Sequence, residues 1–290
     1  MLLHPQLAMR NQWLLTLCLA ILLSAKAYGE SVSVRYLAST TGDQRSDYAI
    51  ELLYLALEKS GLDHTMVGVT TRMQQQRALQ EVIAGERLDV MWTMTSEDRE
   101  AVARPIRFPV YRGLIGIRLP LVTEARIESL ASVETLRDLQ NLQAGQGYGW
   151  PDTEILAYNS LSVITGGDYR QLFPMLLQNR FDYFPRSVLE IWAEAEAYAE
   201  DGIVVSPHLA LHYPAAVYYF VAPDNDALAE AIENGLETAL ADGSLEALFL
   251  GFYEHYLAQA RLDDRVILEL DNPLLPADTP LDRAELWYRP

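Results

Sequence analysis

Apolar and polar positions alternate between two periods along most of the chain. Residues 31–38, "SVSVRYLA", alternate as a strand does, and 47–61 place Ile50, Leu53, Tyr54 and Leu57 on one helical face, closed by Gly61. A short strand at 65–70 follows. The next helix, 73–85, has Leu79, Val82 and Ile83 as its apolar edge. "LDVMWTM" at 88–94 is nearly continuous in apolar residues, as expected of a strand covered on both faces. This strand-helix order predicts an open α/β sheet, and such sheets bind ligands beyond the carboxyl ends of their strands.

Residues 107–122 are long for a single strand and lead into a helix predicted over 128–140. A second α/β set then begins: a strand at 142–149, a helix from Pro151, a strand at 162–164, and a helix at 169–179 with a kink expected at Pro174. A strand at 181–185, a helix at 188–200 and a strong strand at 215–223 come next. Two helices broken at 242–244 follow, the second with Leu245, Leu248, Phe249 and Phe252 on one face. From 263 to 290 the chain is proline-rich and aperiodic, which predicts an extended tail packed along the surface.

The first 27 residues read differently. Arg10 precedes an eleven-residue apolar core, "WLLTLCLAILL", too short to span a bilayer, and cleavage is expected after Ala27 or, alternatively, Gly29. This predicts a secretory signal. Cys18, the only cysteine, lies inside it, so the mature chain has no disulfide, thiolate metal ligand or thiol nucleophile. No second long apolar run exists, and stable membrane insertion is not expected. Losing the signal removes Arg10 and Lys26 and no acid, which takes the formal charge from −18 to −20. A field of that sign argues against nucleic acid and anionic lipid as partners.

Two stretches carry candidate chemistry. "GYGWPDTEIL" (147–156) puts two glycines and a tryptophan before a proline suited to the first turn of a helix. It reads either as a ligand cradle at a helix N-terminus or as a tight turn with a buried tryptophan. "GERLDVMW" (85–92) and "QNRFDYFP" (178–185) share an Arg-apolar-Asp-apolar-apolar pattern, with Arg87 and Asp89 echoed by Arg180 and Asp182. The echo suggests two lobes of similar topology facing each other across a cleft. His208 and His212 show no third ligand and sit between prolines, so no metal site is expected. No catalytic motif is present, and neither an enzyme nor a cofactor is predicted.

"LDVMWTMTSEDRE", "FPVY", "GYGWPDT", "RFDYFP" and "YYFVAPDNDALAEAIENGLETALADGSLEALF" together resemble the type II periplasmic solute-binding proteins, in the branch of the polar amino-acid receptors of ABC importers. The resemblance implies an α/β fold of two lobes, each an open mixed sheet flanked by helices. Residues 31–112 with 216–262 would form one lobe and 113–215 the other, crossing near 112–116 and 213–217. It implies a periplasmic protein, expected as a monomer, that captures a small polar solute, anionic or zwitterionic and amino-acid-like. Its further partner would be an ABC permease or a sensor protein.

Carried over by position, Thr93 and Thr95 match the family's paired contacts to a polar ligand, and Arg99 its carboxylate-binding arginine. Thr153 matches the residue at the second-lobe helix N-terminus, and Tyr111 an aromatic at the cleft. Trp150, Asp152 and Arg186 complete the candidate ligand-binding set. The pattern also departs from the family. Arg99 follows Thr95 by four residues rather than three, leaving Arg104 and Arg107 as alternatives. Where the family has an acid for an α-amino group stands Ser187, beside Arg186, so Glu190 or Asp152 would have to supply that charge. Arg99 also reads as a loop arginine paired with Glu97 or Asp98, and Arg186 as a rim ion pair with Glu190.

Overall fold

The structure, a computed structural model, describes residues 31–38, 44–71 and 73–288. The proposed export signal lies outside the described residues. From the N-terminal side come β1 (Val32–Leu37), α1 (Gln44–Ser60), β2 (His64–Val69), α2 (Gln75–Ala84), β3 (Val90–Met94), α3 (Glu97–Glu100) and β4 (Arg104–Ile106). The chain then passes to β5 (Ile117–Thr123), α4 (Ile127–Ala131), α5 (Leu136–Leu139), β6 (Gln143–Gly147), α6 (Pro151–Tyr158), β7 (Ser162–Gly166), α7 (Tyr169–Leu177) and β8 (Phe184–Ser187). Next are α8 (Ile191–Ala197), β9 (Ile203–Val205) and β10 (Leu209–His212). The chain ends with β11 (Val217–Val221), α9 (Asp226–Ala241), α10 (Ser244–Ala260) and β12 (Val266–Glu269).

The first sheet runs β2-β1-β3-β11-β4, parallel among its first three strands and antiparallel around β11. The second runs β12-β10-β5-β8, with β9 also on β5. The parallel pair β6-β7 joins β8 through a bridge between Ala144 and Tyr183. The two sheets therefore repeat a motif. A strand that follows two strand-helix units (β3, β8) lies beside the first of them (β1, β6) and takes an antiparallel partner from across the molecule (β11) or from its start (β5).

The Asp89 and Asp182 echo has a structural cause. Asp89 accepts the backbone N–H of Arg35 on β1 at 2.7 Å, and Asp182 accepts that of Gln143 on β6 at 2.8 Å. Each aspartate also donates its own N–H to the carbonyl of that same residue at 2.8 Å. Both lock the first strand of a sheet to the entry of the third.

Several elements differ from the sequence reading. The helix predicted over 128–140 is broken, because Thr135 and Asp138 form a capping box that starts α5 afresh. The buried face of α1 carries Tyr48, Leu52, Leu53, Ala56 and Leu57, while Tyr54 faces solvent. The strand predicted at 181–185 is centred later, on β8, and the helix after it shortens to α8. β9 and β10 form in the stretch between the predicted helix at 188–200 and the predicted strand at 215–223, where no element was expected. Part of the proline-rich tail is more regular than expected, since β12 pairs in parallel with β10.

The two connections between the sheets touch. Tyr213 donates its N–H to the Gly116 carbonyl at 3.2 Å, and a Cβ on Gly116 would lie 2.0 Å from the Tyr213 carbonyl oxygen. Arg112 and Gly113, at φ 50° and 83°, turn the first connection. α1 and α9 pack as closely, with Gly235 facing the Ala56 carbonyl. Among the described residues no helix is long and apolar enough to cross a membrane.

Candidate functional site

A cleft of about 2260 Å³ opens between the two sheets, and all eight candidate residues, Thr93, Thr95, Arg99, Tyr111, Trp150, Asp152, Thr153 and Arg186, border it. They differ sharply in what they are free to do.

On the first wall, β3 delivers Thr93 and Thr95 from its carboxyl end. Thr93 donates its hydroxyl to Gln75 at 3.2 Å, and Thr95 donates to Glu100 at 2.6 Å. Ser96 caps α3 by accepting the Arg99 N–H. The Arg99 guanidinium donates to the Met94 carbonyl. It pairs with neither Glu97 nor Asp98, and among the described residues no carboxylate faces it. Burial alone pushes its pKa down from the usual arginine range, as expected of a half-buried cation without a counter-charge. The two alternatives are engaged elsewhere: Arg104 with Asp226, and Arg107 with Glu100 at 2.7 Å and Asp278 at 3.4 Å.

The second wall answers the question raised by "GYGWPDT". Gly149 takes φ 74°, and the Trp150 indole folds back over Gly147, where a Cβ would sit 2.3 Å from the ring. Thr153 donates its hydroxyl to the Gly147 carbonyl at 3.0 Å and its N–H to the Trp150 carbonyl at 3.0 Å. This is a tight turn folded around its tryptophan that also forms a wall of the cleft.

Behind that turn lies a charge network that sequence reasoning caught only in part. Arg118 on β5, 3% exposed, pairs with Asp152 at 2.7 Å and Glu190 at 3.5 Å, and donates to the Tyr213 hydroxyl at 2.8 Å. The Tyr213 hydroxyl in turn donates to Asp152. Arg186 on β8, 6% exposed, pairs with Glu194 at 2.7 Å and Glu190 at 3.0 Å. Tyr169 donates to Glu194 at 2.7 Å. The Arg186 guanidinium lies 5.1 Å from the Trp150 ring centre and 4.9 Å from that of Phe184.

Burial opposes the charge on both arginines. The carboxylates around them more than restore it, and both pKa values rise. Two arginines and three acids therefore satisfy one another within the second wall. The rim pair of Arg186 with Glu190 is present but buried, and Glu194 is the closer partner, accepting through both carboxylate oxygens. Tyr111 borders the cleft only at its base: it is 2% exposed and sits between Tyr48 and Tyr253 at ring separations of 5.7 and 6.5 Å.

Arg118, Glu194, Tyr169 and Tyr213 were missed. Arg118 left a signal, a lone arginine within the apolar run "LIGIRLPLV". Glu194 left none, being one of many acids in an acidic helix. Among the described residues no group of three or more side chains is placed to hold a metal, and His212 pairs with Glu269.

No protein-family model matches the chain, and no curated protein does. Solved structures do. An ancestral arginine-binding protein bound to arginine superposes with a TM-score of 0.54 at 16% identity, over 78% of this chain and 99% of that one. The VFT2 domain of BvgS from Bordetella pertussis, as a double mutant, gives 0.55 at 16% identity, over 77% and 93%. A histidine kinase sensor domain with similarity to periplasmic binding proteins gives 0.52 at 15%, over 77% and 96%. Identities this low establish architecture alone. The chain has the two-lobed α/β fold of the periplasmic binding proteins.

Proposed function

We propose that this chain is an extracytoplasmic solute-binding protein that closes residues 31–112 with 216–262 against residues 113–215 on a small polar ligand. The ligand is anionic or zwitterionic and amino-acid-like, and the protein serves an ABC-type importer after export on its N-terminal signal. The observation that carries this reading is Arg99, a half-buried cation on the cleft wall with no carboxylate partner among the described residues. A guanidinium donates two parallel hydrogen bonds to a carboxylate, and closure strengthens that pair by removing water. Thr93, Thr95 and Thr153 add polar atoms around the same space. Arg186 and Asp152 shape the second wall, each already holding a charge of its own lobe.

The reading is tested by a thermal-shift screen of the mature chain against amino acids, dicarboxylates and small phosphorylated or sulfonated compounds. A ligand at about 100 times its Kd adds about 2.7 kcal/mol, a shift of several degrees. One chemical class should raise the midpoint in the parent and fail to do so in Arg99→Ala. An equal shift in both proteins removes Arg99 from the site.

A second reading, a ligand-sensing module uncoupled from transport, is favoured by one observation: one of the similar structures is a histidine kinase sensor domain. Uptake of the identified ligand by cells with and without the gene separates the two. Loss of uptake supports the importer, and unchanged uptake supports the sensor.

A further inference from the structure

The C-terminal segment, beyond its strand β12, grips both connections between the lobes. It leaves the second sheet where Leu270 donates its N–H to the His212 carbonyl at 2.8 Å. Asp271 and Asn159 then exchange two hydrogen bonds, at 2.8 and 3.0 Å. Immediately afterwards Asn272 donates its amide to the Pro214 carbonyl at 2.8 Å, on the second connection. The chain continues across to the first lobe, where Arg283 forms a two-bond pair with Glu237 on α9 at 2.6 and 2.9 Å.

Its end lies on the first connection. Tyr288 donates its N–H to the Arg112 carbonyl at 2.8 Å, and Arg112 donates a guanidinium N–H to the Glu285 carbonyl at 3.3 Å. The Trp287 ring covers Gly113, where a Cβ would come within 2.7 Å of it, and Leu286 is fully buried. Arg112 and Gly113 are the two left-handed residues that turn this connection. Rotation of one lobe against the other must change torsions at such connection residues, because packed sheets do not bend.

From these contacts we propose that residues 266–288 are a brace across the hinge that holds the lobes apart and restrains their closure in the absence of ligand. One segment is anchored on the second sheet, on each connection and on the first lobe, so closing the cleft must stretch or break at least one anchor. All of them are made while a cleft of about 2260 Å³ separates the two walls. This device is independent of which solute the cleft accepts, and its test requires none.

The mature chain has no cysteine, so Gln76→Cys and Tyr148→Cys, exposed on opposite cleft walls, accept spin labels at these two sites alone. Pulsed electron paramagnetic resonance then gives the distance between walls without ligand. The labelled parent should show one narrow distribution. Asn272→Ala and Trp287→Ala should each add a shorter-distance population. Unchanged distributions in both variants, with circular dichroism showing them folded, overturn the brace. Should Trp287→Ala fail to fold because it uncovers the core, Asn272→Ala and Arg283→Gln, which cut polar anchors only, decide the matter by the same readout.

Discussion

Gly116 and Asp152 show how little room the hinge region leaves. Any Cβ at 116 would drive into the Tyr213 carbonyl, which is backbone and cannot turn aside. Gly116→Ala should therefore destabilise the protein by about 3 kcal/mol, the upper end of ordinary overpacking, measured as a drop in urea midpoint at unchanged slope. Asp152 and Arg99 make a contrasting pair. Asp152→Ala leaves the buried Arg118 with the longer Glu190 pair as its one remaining carboxylate among the described residues, and should lower stability by on the order of 3 kcal/mol. Arg99→Ala removes a cation that holds no counter-charge, and should change stability by less than about 1 kcal/mol while removing ligand response. Both residues were legible as cleft residues from motif position. Their different pairing was not, because it depends on Arg118, which is brought beside Asp152 only when β5 and α6 pack together.

At the scale of elements, helices and strands were read well where one apolar face met one core, as in α2, β3 and the break between α9 and α10. They were misread where local capping or a distant strand overrode periodicity. Thr135 and Asp138 end what the apolar spacing alone would have continued. β9, β10 and β12 are short, flanked by turns, and exist because β5 and one another supply their hydrogen bonds.

The turn between α9 and α10 carries a titration that can be checked. The Asp242 carboxylate accepts from Lys59 on α1 and from both the hydroxyl and N–H of Ser244, which hold its pKa well below the ordinary aspartate value of 3.8. A depressed folded value means that the stabilisation is complete above the unfolded value and disappears as pH falls through the folded one. Unfolding midpoints of the parent and Asp242→Asn, followed from about pH 6 to about pH 2, should differ by a constant amount at the upper end and draw together once the pH falls below the ordinary aspartate value. A gap that does not narrow over this range assigns the effect to something other than this charge.

At the scale of the whole molecule, the two-lobed plan was legible from the succession of two α/β sets and from the Asp89 and Asp182 echo. The structure explains the echo as a repeated strand lock. The hinge contacts of the C-terminal segment were not legible, since Asn272 and Trp287 stand in an aperiodic stretch and meet residues far away in sequence.

The position of β11 has a consequence for how the molecule comes into being. β11 lies between β3 and β4, yet the chain reaches it only after most of the second lobe has been made. As the polypeptide emerges, β3 and β4 have no neighbour to join them, and α1 lacks α9. The N-terminal half therefore cannot complete its sheet without a strand from the far side of the sequence, and such long-range closure slows folding. Until β11 arrives, the facing edges of β3 and β4 stand unpaired and open to other chains.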